Sequence, residues 1–576
     1  MLLSLGHGQR ILKLTEATFA KLALTGTAIA TPGPDQESAI HVLAAGPAEH
    51  KGEGRFGYLF PSAAGHGRPI DSAVLDLLAD AMIDQGSKPD IQAIAPVFTY
   101  FGQFIDHDIT AHEDASSLLG IDKGVLAPVA RDLVVAQATN RRDATLRLDS
   151  LYGDGPGASV LEDAMRDGAR MRVGGNLQIL NPPITPPDDL QGDLPRVGPL
   201  VQAGVLAAAD VPAELQTGGT ADQSRAALIG DARNDENLIV AQLHLAFLRF
   251  HNAVVDRMPA GDAVATFEKA RAIVRRTYQW LVVNAYLPAV CDAAVLQQVI
   301  DEGAPIYKVF AEARLDELKP GELPMPLEFS VAAFRYGHTL IRARYDYNRV
   351  FTGANAATFE QLFAFTGRSK PSPIGAPFVG SVGLPTLPDN WPIDWSRFLG
   401  RAGDPGFRFA RAIDTALVPP LANMVNEADG VFRNLARRNL RRGWVNNLPT
   451  AQGLIAALAD AGHPVPVVLT PDQITSGPIA DSALPADVKA EFAVKTPLWF
   501  YVLKEAELLN GGARLGPLGT RIVAETLVGL AVNDAGSYWH LGAGNGGWSP
   551  RDETDVTFDE PITSMEAMLR AAGVLA

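Results

Sequence analysis

The sequence predicts a mainly α-helical globular protein, and three observations carry that prediction. From Ile91 onward apolar residues recur over long stretches at helical spacing. Alternating, strand-like runs are scarce, and no internal repeat is found. Apolar residues make up 47% of the 576 and charged residues 20%, which supplies enough apolar material for a large core.

In chain order, the first sixty residues are rich in Ala, Gly, Thr and Pro and lack periodicity, so residues 1–60 read as an N-terminal extension or arm ahead of a main body at 61–576. The spacing then predicts helices over about Val97 to Ile109, Glu236 to Arg257, Ala263 to Leu287, Ser330 to Ile341, Ala410 to Leu421 and Leu518 to Leu530. Two proline-rich passages, Asn181 to Pro199 and Lys370 to Pro392, read as long surface loops of the kind that line an entrance.

Charge narrows the partners. With 49 basic and 65 acidic side chains the net charge is −16, which repels phosphate backbones and anionic lipid, so nucleic acid is not expected as a partner. No apolar run reads as a membrane span. The single cysteine, Cys291, rules out an internal disulfide framework and reads as an apolar filler. Arg10, Lys13 and Lys21 precede the short apolar run Leu22 to Ala30, but Glu16, Thr25 and Gly26 break the pattern of a secretory leader. The expectation is a cytoplasmic or non-classically secreted protein.

Three segments carry chemistry. In Phe98-Thr-Tyr-Phe-Gly-Gln-Phe-Ile-Asp-His-Asp-Ile109, Gln103 and His107 lie four apart and share a helix face that Asp106 borders. Polar groups in so apolar a helix need partners: a satisfied core histidine, an interhelical hydrogen-bond cluster, or a His107-Asp108 metal pair completed by other histidines. In Gly230-Asp-Ala-Arg-Asn-Asp-Glu236, Asn234 or Asp235 can cap the next helix and Glu236 suits its first turn. Arg233 just before that helix can aim a permanent cation into a cleft. His244 and His251, seven apart on the helix, read as packed core or surface residues. In Phe334-Arg-Tyr-Gly-His-Thr-Leu-Ile341, Gly337 removes bulk beside His338, where a flat ligand could approach or another helix could pack.

Taken together these segments resemble the animal-type haem peroxidases of the peroxidase–cyclooxygenase superfamily. Gly-Gln-Phe-Ile-Asp-His-Asp resembles the family's distal motif. Arg-Asn-Asp-Glu with the following Leu-His-x-x-Phe-x-Arg-x-His-Asn resembles its distal arginine motif, and Phe-Arg-Tyr-Gly-His-Thr its proximal motif, in the family's order and spacing. Ala436-Arg-Arg-Asn-Leu-Arg-Arg-Gly443 is similar to the proximal asparagine segment, with weaker similarity around Leu387 to Trp395 and Thr496 to Tyr501. The resemblance covers about residues 60 to 560 and implies one large helical haem peroxidase domain with long loops.

The resemblance implies haem b held by His338 as axial ligand, with Asn439 accepting its other ring N–H and fixing the tautomer. A neutral amide partner favours a higher iron potential than a carboxylate would. Arg335 and Arg442 would meet this side or a haem propionate. Across the cofactor, neutral His107 would take a proton from hydrogen peroxide and pass it to the leaving oxygen. Arg233 would stabilise charge as the O–O bond breaks and favour the neutral ring, and Gln103 would hold water or a halide. Asp106 and Glu236 match carboxylates that become esterified to haem methyl groups. Asn237 has no sulfur and excludes a third, sulfonium link.

The implied activity is reduction of hydrogen peroxide with oxidation of a small organic or halide donor. Its rivals are a fatty-acid dioxygenase of the same superfamily and a non-catalytic haem-binding or adhesion module. Lipid oxygenases carry a radical-forming tyrosine three residues before the proximal histidine. That position is Arg335 here, and Tyr336 would point elsewhere on a helix. Calcium is also implied, between Asp108 and a loop where Asp143, Thr145 and Asp149 fall on ligand positions, but Arg147 stands where a central carboxylate belongs. A cation cannot ligate Ca²⁺, so Arg147 is expected to pair with Asp108 in place of the ion, or calcium to bind in a shifted register.

Overall fold

A mostly apolar run of fourteen residues, opened by Pro96 at the first helical position, forms the helix on which the rest of the molecule is arranged. In this computed structural model the described residues are 2–4, 11–13 and 54–575, except 85, 87–90, 115–119, 177–191, 217–219, 368–385, 425–426, 428 and 543–546. The stretch Leu22 to Ala30 and most of both proline-rich passages lie outside the described residues.

Helices dominate, as expected. Those that matter for the site are α1 (Ser72–Ala81), α2 (Pro96–Ile109), α3 (Leu238–Val255), α4 (Ala263–Leu281), α5 (Pro305–Glu312), α6 (Leu435–Val445), α7 (Leu498–Asn510) and α8 (Pro517–Asn533). Strands are short. Gly54–Gly57 (β1), His112–Asp114 (β2), Ala138–Asn140 (β3) and Met325–Pro326 (β4) make one small sheet in the order β4-β1-β3-β2.

The centre is the crossing of α2, α3 and α4. Phe104 stacks on Phe247 at 4.9 Å, and Tyr278 meets Phe101, Phe104 and Phe247 edge-on at 5.9–6.2 Å. Each such pair adds roughly 0.5–1.5 kcal/mol beyond its buried area. Helix α3 starts at Asn237, whose side chain accepts from Val240 N–H, so the cap is neither Asn234 nor Asp235. Among the described residues α3 is the one helix long and apolar enough to cross a membrane, yet it is 83% buried inside the molecule and packs as a core helix.

Three expected helices take other forms, and one of them, Ser330 to Ile341, becomes a wide turn followed by a tighter coil. Helix α4 gives way at Val282–Tyr286 to a wider turn before a last helical turn, Leu287–Val290. The segment Ala410 to Leu421 is not helical. Its main chain bonds to other segments instead: Ala410 N–H to Ile94 O, Ile413 N–H to Gly512 O, and Leu417 N–H to Met82 O, each at 2.8–2.9 Å. Only a single tight turn, Pro419–Ala422, coils at its end, opened by the two prolines.

Arginines of α6 tie it to α1: Arg441 pairs with Asp76 at 2.7 Å and Arg437 with Asp80 at 2.8 Å, while buried Arg438 meets Glu427 at 3.0 Å. Buried carboxylates hold helix starts. Glu505 of α7 accepts from Leu518 and Gly519 N–H at the head of α8, and Glu525 of α8 accepts from Ile306 and Tyr307 N–H at the head of α5.

Burial pushes the Glu505 carboxyl up to about 8, against the pull of those N–H groups. The folded state therefore binds this proton more tightly than the unfolded chain. The stability it contributes is complete below the ordinary 4.5 and is lost as pH rises through about 8. Glu505→Gln removes that titration and keeps an acceptor oxygen. Its unfolding temperature is expected to fall less than the parent's between about pH 5 and about pH 8, and parallel profiles would refute the assignment.

Candidate active site

Two of the predicted residues, His107 and Arg233, meet at the end of α2. His107 is fully buried, and its Nδ1 lies 2.9 Å from the Asn234 amide oxygen. Asn234 and Arg233 sit in a tight turn, Ala232–Asp235, capped by Asp231, whose carboxylate accepts from Arg233 N–H at 2.9 Å. The same carboxylate takes the Arg233 guanidinium through Nε and Nη2, and Nη2 also donates to the His107 carbonyl at 2.8 Å. Arg142 pairs with Asp231 from the other side.

Burial alone would lower the Arg233 pKa, but Asp231, with Asp106 and Glu236 nearby, holds it above its ordinary value. Asp231, although buried, is held well below the usual carboxylate range by Arg142 and Arg233. The result is a permanent cation fixed beside His107, balanced by a carboxylate that sequence reasoning did not single out.

A cavity lies between α2, the start of α3 and the Phe334–Ile341 segment. One wall carries Gln103, Asp106, Glu236 and Asn237, the facing wall Arg335, Gly337 and His338, and Phe98, Ile341 and Leu421 supply apolar lining. His107 and Arg233 are not on this wall. They stand behind it, His107 next to Asp106 and Arg233 three residues before Glu236. Asn237 steadies Gln103 through a 3.3 Å bond, and Asp106 accepts from the Thr110 hydroxyl at 2.8 Å.

The Phe334–Ile341 segment is not a regular helix. A wide turn, Glu328–Ala332, leads into a tighter coil, Ala333–Leu340, and this change of pitch presents His338 to the cavity. A side chain added at Gly337 would meet nothing within 4 Å, so the space in front of it is open. His338 Nδ1 lies 3.0 Å from the Asn439 amide on α6, with the amide nitrogen rather than the oxygen facing the ring. Arg442 is buried one turn further along α6 and does not line the cavity. Tyr336, expected to point elsewhere, does line it, with its hydroxyl 2.7 Å from that of Tyr286.

The carboxylates expected to bind calcium, Asp108, Asp143 and Asp149, take other partners. Asp108 accepts from Leu148 N–H at 3.1 Å, Ser150 N–H at 3.2 Å and the Ser150 hydroxyl at 3.1 Å. Leu148 adopts a left-handed conformation, φ 56°, that turns these groups inward. Asp149 pairs with Arg275 at 3.2 Å. Arg147 does not pair with Asp108 as expected: it reaches Asp143 at 3.0 Å, Asp534 at 3.5 Å and the Gly321 carbonyl at 3.0 Å, because the main chain already satisfies Asp108. Among the described residues no group of three or more His, Cys, Asp or Glu side chains could hold a metal ion, which also leaves the His107-Asp108 metal pair without further ligands.

Residues 199–366 match the family model for animal haem peroxidases. Over 119 residues, 20% of this chain, it is 31% identical to the peroxidasin homolog pxn-2 of Caenorhabditis elegans and 29% identical to myeloperoxidase of Mus musculus. Those stretches span 8% and 15% of the two relatives. Among solved structures it is similar to peroxidase A of Dictyostelium discoideum (TM-score 0.47, 16% identity, 84% of this chain and 88% of that one). It is also similar to a fatty acid alpha-dioxygenase of Arabidopsis thaliana (TM-score 0.48, 13% identity, 84% and 79%). Haem is the cofactor that this match over residues 199–366 implies.

Proposed function

We propose that this protein is a haem-dependent peroxidase that reduces hydrogen peroxide and oxidises a small organic or halide donor. The observation that carries the reading is the cavity between the His338 imidazole and the Gln103, Asp106 and Glu236 wall, with His107 and Arg233 fixed behind that wall. The residues fit haem: a cavity with a largely apolar lining, an imidazole facing it, open space at Gly337, and Arg335 placed to meet a carboxylate. When bound, haem supplies an iron centre that exchanges electrons with peroxide and donor.

His338 would hold the iron through Nε2. The proton of a neutral ring then sits on Nδ1, which calls for the Asn439 oxygen, and a half-turn of that amide supplies it. His107 takes a proton from hydrogen peroxide at Nε2 and returns it to the departing oxygen, which leaves as water. Arg233 offsets the negative charge that builds on that oxygen. Gln103, steadied by Asn237, positions water or a halide.

The test is a spectrum of haem-loaded protein before and after peroxide. A Soret band that changes with peroxide, followed by turnover of a phenolic or halide donor, is expected. No Soret band would overturn the haem reading, and a band indifferent to peroxide would leave a binding module. One observation favours a second reading, fatty-acid dioxygenase: Tyr336 and Tyr286 bring a phenol pair to the cavity. Oxygen uptake on adding a fatty acid, lost in Tyr336→Phe, would establish it.

Asp106 and Glu236 reach the same cavity from separate segments, which supports two ester links to haem. Each forms by a two-electron oxidation in which one hydrogen peroxide becomes two waters. After brief peroxide treatment, acidified organic extraction is expected to leave haem on the protein, and Asp106→Val and Glu236→Gln each to remove one attachment. Complete extraction from the parent would refute the links.

No calcium is expected to be tightly held, because Arg147 and Arg275 already occupy the carboxylates that would bind it. Elemental analysis after dialysis decides this: one calcium per chain would overturn it.

A further inference from the structure

Behind His107 lies a second histidine that the proposed chemistry does not use. His244, on α3, is completely buried, and its Nδ1 is 3.0 Å from the amide nitrogen of Asn234. The oxygen of that same amide is 2.9 Å from His107 Nδ1. One side chain therefore joins two imidazoles.

An amide has one accepting end and one donating end. With its oxygen toward His107, it requires a proton on His107 Nδ1 and so leaves the lone pair on Nε2. With its NH₂ toward His244, it requires an unprotonated His244 Nδ1. Turning the amide over exchanges both tautomers at once: His107 would then carry its proton on Nε2 and offer no base there. The two rings are coupled, and His107 presents a base only while His244 presents an acceptor.

The surroundings keep His244 in that role. Burial pushes its pKa down to about 3, so its ring stays neutral. Its Nε2, which bears the proton in this tautomer, is buried and has no hydrogen-bond partner among the described residues, and Phe104 packs edge-on against the ring at 6.0 Å. A buried N–H without a partner costs stability that an apolar side chain at this position would not. What the imidazole adds there is the acceptor at Nδ1.

We propose that His244 is a positioning residue that, through Asn234, selects the His107 tautomer with its lone pair on Nε2. The inference rests on the reading of His107 as the base.

The experiment measures association of hydrogen cyanide with the haem-loaded ferric protein, because cyanide binds as the anion and its proton must go to a distal base. His107→Ala is expected to slow association about 100-fold or more. His244→Leu is expected to slow it about fivefold, the worth of one hydrogen bond, with no fall in unfolding temperature. His244→Asn, which returns an acceptor near the Nδ1 position, is expected to restore the rate, and Asn234→Leu to approach the His107→Ala value. An unchanged rate in His107→Ala would overturn the base assignment itself. A slow His107→Ala with an unchanged His244→Leu, or a His244→Asn as slow as the leucine variant, would overturn the role of His244 and leave His107 standing.

Discussion

Stopped-flow mixing of His107→Ala with hydrogen peroxide is expected to show the peroxide-induced spectral change slowed by about 10²–10⁴-fold, the usual worth of a positioned general base. Haem content should match the parent, because His107 stands behind the cavity wall opposite His338. The expectation rests on geometry: the Asn234 oxygen engages Nδ1 and leaves Nε2 to serve as the base, while the ring is fully buried and held in one orientation. Arg233→Lys should also slow the step. An ammonium cannot contact Asp231 through two nitrogens and the His107 carbonyl together, as the guanidinium does. An unchanged rate in His107→Ala would remove it from the chemistry and return it to the bland reading of a satisfied core histidine.

What the sequence reveals of this site depends on how far apart its partners lie. Gln103, Asp106 and His107 share one helix, so spacing alone places them together, and α2 runs close to its predicted limits. Arg233 was recognisable as a cation at a helix start, although its counterion Asp231, two residues earlier, was not singled out. Helical spacing assigns His244 no role, although it falls within the motif quoted for the resemblance: a histidine on a helix buried along nearly its whole length reads as core, and the Asn234 amide is the partner that distinguishes it. The join between His338 and Asn439 spans segments that no periodicity links, and it came from resemblance. Arg147 was identified as incompatible with calcium, but its real partners, Asp143 in its own loop and Asp534 near the far end of the chain, depend on tertiary packing. Ala410 to Leu421 failed for the opposite reason. Its composition suits a helix, yet carbonyls of Ile94, Met82 and Gly512 claim its N–H groups. The regular elements follow local pattern, and the misses occur where a partner distant in sequence outweighs it.

His338→Ala is expected to have the opposite effect from His107→Ala: the protein should lose most of its haem, or hold it with a shifted Soret band. His338 lines the cavity wall across from Gln103, Asp106 and Glu236, and among the described residues no other histidine lines that cavity. Removing the imidazole deletes the proposed iron ligand while the apolar walls remain, so the slot persists without its anchor. Imidazole added in solution should enter the space vacated beside Gly337 and restore the parent band, which separates loss of a ligand from loss of the fold. Asn439→Leu should act in the same direction but less strongly. It leaves the ligand in place and removes the group 3.0 Å from its Nδ1, and losing an outer partner of a metal-bound histidine typically costs about 10–100-fold in metal affinity or activity. Titration of haem into the unloaded variants, read by the Soret band, orders the three proteins. The assignment predicts parent tighter than Asn439→Leu, and Asn439→Leu tighter than His338→Ala. A His338→Ala protein that binds haem as tightly as the parent, with an unshifted band, would show that the iron is held elsewhere.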